Sequence, residues 1–202
     1  MERLNKLKER LEKIGYTAKV FATGEEAKAY LLSAIPTTDT VGVGGSMTVQ
    51  QLGLAEALRA RGQQVAWHWG VPADQVAEMH RLASTADTYL CSANAILPDG
   101  RIVNIDGFGN RLAATLYGPR KVYMIVGENK LADTLDAAMD RIKNVSCPRN
   151  AKRLNLKTPC AVLGRCTDCS SPDRMCHATL ILDRKPNAHP MEILLVAQEL
   201  GY

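Results

Sequence analysis

The stretch Thr40-Val41-Gly42-Val43-Gly44-Gly45-Ser46-Met47-Thr48 decides the fold. Its first four residues, 40–43, are apolar enough for a buried strand, and two glycines then allow a tight turn. Val49, Leu52, Leu54 and Leu58 follow at helical spacing, so the segment reads as strand, turn and helix. At such a junction the backbone N–H groups and the helix dipole converge on one concave spot, and the Ser46 and Thr48 hydroxyls can donate to oxygens placed there. An anion suits it. The loop is no Walker loop, since Gly-Lys-Ser/Thr is missing, and no dinucleotide fingerprint, since the glycine spacing differs. The plainer reading is a strand-to-helix turn in which Ser46 is only an N-cap.

The same alternation continues on both sides. Upstream, Leu4, Leu7, Leu11 and Ile14 mark an amphipathic helix closed at Gly15; a short strand spans 18–21; Thr23 and Glu26 form a capping box for a helix ending before Pro36. Downstream, strands are expected at 65–69, 88–91 and 121–126, with helices opening at Pro72 and covering 131–142. Strands alternating with helices predict an α/β fold with a mostly parallel sheet, helices on both faces and ligands at the carboxyl ends of its strands. After Cys147 the pattern gives way to a polar segment, followed by strand-like runs at 179–182 and 193–196.

Composition narrows the class. The 202 residues suit one domain spanning 1–202, and 46% hydrophobic with 23% charged residues argues against extensive disorder. A net charge of +4 is spread over 25 basic and 21 acidic residues without a basic block, which disfavours nucleic acid. The charged N-terminal stretch lacks an apolar run for a signal peptide or membrane span, so a cytoplasmic location is expected. The amphipathic first helix packs on its own domain, the usual case, or offers a homodimer face.

Two further loops carry candidate site residues. Ser92-Ala93-Asn94-Ala95-Ile96 leaves a strand, turns at Asp99-Gly100 and returns through Asn104 to Asp106-Gly107-Phe108-Gly109-Asn110-Arg111. Ser92, Asn94, Asn104, Gly109, Asn110 and Arg111 are candidate ligand contacts, Arg111 because its fork matches a carboxylate or phosphate. Asp99 and Asp106 are the candidates for proton transfer. The plainer reading has the asparagines bonding loop backbone and Arg111 on the surface. Asn129 and Lys130, in Gly127-Glu128-Asn129-Lys130, should share the sheet edge with the glycine loop, where Lys130 either meets an anion or is solvated.

Cys160, Cys166, Cys169 and Cys176 lie in a cysteine-bearing segment, 147–178, with Cys147 at its start. Four soft ligands suffice for tetrahedral zinc or an iron–sulfur cluster, although only Cys166-x2-Cys169 has the usual spacing. Unligated thiols or disulfides are the alternative. Cys91 reads as a buried small hydrophobe, and His68, His80 and His189 as structural or loop residues.

Together, Gly44-Gly45-Ser46-Met47-Thr48, Ser92-Ala93-Asn94-Ala95-Ile96, Asp99-Gly100, Gly109-Asn110-Arg111, Tyr117-Gly118-Pro119, Gly127-Glu128-Asn129-Lys130 and Pro148-Arg149-Asn150-Ala151 resemble the lactate-utilisation (LUD) domain family. The resemblance covers essentially the whole chain. It implies a fold similar to the ribose-5-phosphate isomerase and coenzyme A transferase-like group (NagB/RpiA/CoA transferase-like). It also implies a part in growth on lactate or a related organic acid, within an oxidation system whose redox centres lie largely in partner proteins. The stretch from Ala93 to Asn104 also looks like the Gly-Ala-Asp segment of sugar-phosphate isomerases, but Asn94 stands where those enzymes carry a proton-transferring aspartate. An amide is neither acid nor base near neutral pH, which argues against a freestanding isomerase. A transferase on a phosphorylated sugar or acyl substrate, and a non-catalytic sensor or scaffold with a structural metal, are the competing readings.

Overall fold

The computed structural model describes all residues, 1–202. In chain order the elements are α1 (Glu2–Lys13), β1 (Thr17–Phe21), α2 (Gly24–Ala34), β2 (Val41–Val43), α3 (Met47–Gln51), α4 (Leu54–Ala60), β3 (Val65–Trp67), α5 (Val76–Ser84) and β4 (Thr88–Cys91). There follow β5 (Ala95–Ile96), β6 (Ile102–Asp106), α6 (Asn110–Leu116), β7 (Lys121–Gly127), α7 (Leu135–Arg141), α8 (Cys147–Arg153), α9 (Pro159–Leu163), β8 (Ala178–Leu182) and β9 (Met191–Val196).

Six strands form one sheet in the order β1-β9-β7-β4-β2-β3, and every neighbouring pair in it is parallel. The side chains of its central strands divide by alternation. Val122, Met124 and Val126 of β7, with Met191, Ile193 and Leu195 of β9, join Leu4, Leu7 and Leu11 of α1 in one core. Tyr123, Ile125, Leu194 and Val196 face the other way, against Ala27 and Leu31 of α2, Val49 of α3 and Leu54 and Leu58 of α4. A parallel sheet needs both faces covered, and two cores result. The apolar face of α1 is therefore spent on its own domain.

A second sheet, β5-β6-β8, is antiparallel and covers a smaller core around Ala95, Leu97, Val103 and Ile142. The expected turn at Asp99-Gly100 joins its first two strands, with the Leu97 amide bonded to the Arg101 carbonyl at 2.9 Å and Gly100 at φ +88°. The Thr23–Glu26 capping box is present.

Three elements depart from expectation. The helix expected across Val49 to Leu58 breaks at Gly53, which adopts φ +58° and separates α3 from α4. The helix expected from Leu131 starts at Leu135, capped by Thr134. The run at 193–196, which follows the break in the alternating pattern, belongs to β9 and returns to the parallel sheet between β1 and β7, one strand in from the β1 edge. No helix is long and apolar enough to cross a membrane.

Candidate functional site

β2 is followed by edge strand β3, whereas β4 leads on to β7 on its other side, so the order in which strands are laid across the sheet reverses between β2 and β4. Open α/β sheets bind ligands at such a switch point, beyond the carboxyl ends of the strands. A cleft of about 910 Å³ opens there. Gly45, Ser46 and Met47 line it from the end of β2, Ser92 to Asn94 from β4 and Lys130 from the turn after β7. Asp106, Phe108 and Arg111 form a second wall, and Asn150, Arg153, Arg174 and Tyr202 complete the rim.

Lys130 is the floor. It is 3% exposed, and its Nζ donates to Ser92 Oγ at 2.7 Å and Thr48 Oγ1 at 2.8 Å. Burial, then the Arg141 and Arg111 guanidinium groups, push its pKa down to about 7. Thr48 Oγ1, fully buried, also donates to the Leu200 carbonyl at 3.2 Å.

Asn94 and Asn104 knit the wall. Asn94 Oδ1 accepts from the Ile105 amide at 2.9 Å and from Arg111 Nη2 at 3.1 Å, and the Asn94 amide donates to Asn104 Oδ1 at 2.9 Å. The plainer sequence reading of these asparagines therefore describes their protein contacts. Arg111, 9% exposed, also donates to the Ile105 carbonyl at 2.6 Å, so it is no loose surface arginine. Asp106 lines the cleft, and its carboxylate accepts the Arg111 and Leu112 amides at the start of α6.

Other candidates fall elsewhere. Asp99 sits on the exposed β5–β6 turn, paired with Arg101 at 2.8 Å, and does not line the cleft. Asn129 staples the C-terminal segment, accepting from the Leu200 amide at 3.1 Å and donating to the Gly201 carbonyl at 3.3 Å. In the glycine loop, the Gly44 amide donates to the Leu90 carbonyl at 3.0 Å, and a Cβ there would lie 2.7 Å from Tyr89 Oη, so close packing accounts for this glycine. Ser46 Oγ accepts from the Val49 amide as an N-cap. The Gly45 and Ser46 amides have no hydrogen-bond partner within the protein, and both residues line the cleft. Gly109, at φ +79°, precedes α6, and Asn110 lines the cleft.

The chain also brings up residues that local pattern did not single out. Arg153 lies over the Trp69 ring at 4.3 Å and donates to Asn150 Oδ1 at 2.8 Å and Tyr202 Oη at 2.9 Å. His68 and His80, read from sequence as structural, both line the cleft with ring centroids 4.4 Å apart. Burial and His80 push the His68 pKa down to about 4, which keeps the imidazole neutral. The continuous helical run from α7 to α8 delivers Ser146, Cys147, Asn150 and Arg153; only the Pro148-Arg149-Asn150-Ala151 motif hinted at it.

All six cysteines are free thiols, and no three His, Cys, Asp or Glu side chains stand close enough to hold a metal ion. The Cys147 thiol is pushed up to about 12 by burial and by its neighbours Cys176, Cys160 and Cys166.

Residues 4–196 match the LUD domain. The chain belongs to the LUD domain family. This is a family associated with lactate utilisation in general. A DUF162 family protein from Deinococcus radiodurans has a similar fold, with a TM-score of 0.51 over 96% of each chain at 15% sequence identity. No curated protein matches this LUD-domain chain.

Proposed function

We propose that this LUD-domain protein binds a small organic anion in the cleft and serves the utilisation of lactate or a related organic acid beside redox partner proteins. Charge carries the reading. Lys130, Arg111 and Arg153 line one cleft, Arg141 adds its charge beside Lys130, and none of the eight ion pairs in the molecule includes these four. The two carboxylates that line the cleft are engaged with amides, Asp106 with α6 and Asp173 with the Lys157 amide at 2.8 Å. Clustered cations without a carboxylate paired directly to them repel one another, and an entering carboxylate relieves that repulsion while forming charge-assisted hydrogen bonds. The free Gly45 and Ser46 amides add uncharged donors on the same side.

The test uses Trp69, whose ring is stacked by Arg153 and borders the cleft, as a fluorescence reporter. Titration with lactate, glycolate, pyruvate and inorganic phosphate is expected to quench emission saturably, with a hydroxy or keto acid binding most tightly. Arg153→Met removes one charge-assisted contact and is expected to weaken that acid about tenfold. Emission indifferent to every anion, with direct calorimetry also flat, would overturn the proposal.

We also propose that Cys160, Cys166, Cys169 and Cys176 gather around zinc or an iron–sulfur cluster. The support is local. The Asp168 amide donates to Cys166 Sγ at 3.3 Å from a backbone at φ +47°, a turn that directs an N–H toward sulfur as thiolate sites require. Between Asn155 and His177 only Thr158 is buried, so the segment has little core of its own and ligation would stabilise it. Anaerobic reconstitution with iron and sulfide, or with zinc, is expected to give a stoichiometric metal load that Cys166→Ser and Cys169→Ser abolish. A full-length protein that takes up neither sinks this part alone.

A further inference from the structure

We propose that Ser92 and Lys130 form a nucleophile and base that move an acyl group from an anionic ester or thioester onto Ser92 Oγ and then to water. The inference rests on the anion-binding reading of the cleft and gives it a reaction.

Lys130 Nζ lies 2.7 Å from Ser92 Oγ, within the reach required of a base and its nucleophile. Thr48 orients the amine. Its Oγ1 is 2.8 Å from Nζ, 3.2 Å from the Leu200 carbonyl and 3.3 Å from Ser92 Oγ; with its proton on the carbonyl, Thr48 accepts from the amine, and the nitrogen lone pair is left to the Ser92 hydroxyl, whose other acceptor is the Ala93 carbonyl at 3.4 Å. A protonated lysine buried to this degree normally has a carboxylate partner, and this one has none. The ionisable groups that face it are Arg141 from α7, Arg111 from α6 and Cys91 from β4; the arginines repel an ammonium, and Cys91 is a neutral thiol at pH 7. The amine is thus available as a base near neutral pH.

The surroundings supply the other parts of acyl transfer. The unpartnered Gly45 and Ser46 amides, on the β2 side of the cleft, are donors for a carbonyl oxygen that becomes an oxyanion. Arg153 at the rim suits a carboxylate on the far end of the acyl chain. As Ser92 Oγ bonds to the acyl carbon, its proton passes to Lys130 Nζ. The carbon–sulfur or carbon–oxygen bond to the leaving group then breaks, and that group departs as a thiol or alcohol carrying the Lys130 proton. Water adds to the acyl-serine with its proton going to Lys130. Ser92 Oγ leaves by taking that proton back, and the product is the free acid. No electrons change hands.

The experiment treats the full chain with a fluorophosphonate and with a p-nitrophenyl ester whose acyl chain ends in a carboxylate. Intact mass and peptide mapping read the adduct, and nitrophenolate release reads turnover. A single adduct at Ser92 is expected, absent from Ser92→Ala and from Lys130→Arg, which keeps the donors but cannot act as a base. Its rate should rise about tenfold per pH unit up to about pH 7 and then level off. An adduct on another residue, equal labelling in Lys130→Arg, or neither adduct nor turnover overturns the inference. Anion quenching of Trp69 fluorescence in the wild-type protein separates the two readings: if quenching is seen while the protein stays unlabelled, only the acyl transfer falls.

Discussion

Lys130 concentrates the conflict between stability and function. Its ammonium is buried beside two guanidinium groups, and its pKa falls to about 7 from 10.5, so in the folded chain the proton is bound less tightly than in the unfolded one. Between these values the unfolded state holds more protons, and stability therefore rises with pH across that window. Lys130→Met removes the titration while filling similar volume. The difference in unfolding free energy, Lys130→Met minus wild type, is expected to fall by roughly 2 to 3 kcal/mol between pH 6 and pH 9, read from urea midpoints at each pH. A pH-independent difference would mean that the amine titrates normally and that the floor of the cleft is wetter than its burial indicates. None of this was legible from the residue's own neighbourhood, Gly127-Glu128-Asn129-Lys130, which fits a solvated charge equally well. Its partners Thr48 and Ser92 are 82 and 38 positions away in sequence. The residue types did announce themselves at the switch-point loops, because a glycine turn after a buried strand leaves few other uses for Gly45 and Ser46.

At the scale of elements, helices with local end signals could be read, and those shaped by distant packing could not. Thr23 with Glu26 opens α2 through contacts within one turn, whereas Gly53 ends α3 by taking a left-handed backbone that composition alone does not require. The wide turn at Ile142–Ser146 is similar. There the Cys147 amide reaches back five residues to Ile142, letting one helical run pass Pro148 and aim Ser146, Asn150 and Arg153 into the cleft. Gly42 shows a constraint that only packing reveals. A Cβ on this β2 residue would stand 2.8 Å from the Ala83 Cα of α5 and collide with the Ala83 carbonyl. Gly42→Ala is expected to lose about 1 to 3 kcal/mol or more by forcing α5 off the sheet. Gly62→Ala, with no atom within 4 Å of its Cβ but φ +85°, is expected to lose about 1 to 2 kcal/mol through backbone strain alone. The distinction lies in α5: amide exchange should accelerate there in Gly42→Ala and stay unchanged in Gly62→Ala.

For the molecule as a whole, the decisive feature is that β9 lies between β1 and β7. The alternation of strands and helices made a covered parallel sheet legible, since β1, β2, β3 and β7 are each followed along the chain by a helix that must pack on the sheet. The order of strands was not legible, because a run such as Ile193 to Val196 is equally apolar at an edge or at a centre. Once placed, β9 makes the fold non-local. β1 has no sheet partner except β9, which aligns Thr17 with Glu192 and Phe21 with Val196. The first strand thus waits for the last, and its loop-closure entropy is recovered only when residues 191–196 dock. Two outcomes follow. Native-state hydrogen exchange should show β1 and β9 amides opening together with one free energy close to that of global unfolding. A chain cut after Lys185 should lose the cooperative melt altogether, since it strips both cores of Ile193, Leu194, Leu195 and Val196 and exposes the edges of β1 and β7 to aggregation. A truncated chain that melts cooperatively, or β1 amides that exchange at the rate of a frayed edge, would show that β7, β4, β2 and β3 form a body stable without β9 and that the C-terminal strand is an addition to the fold.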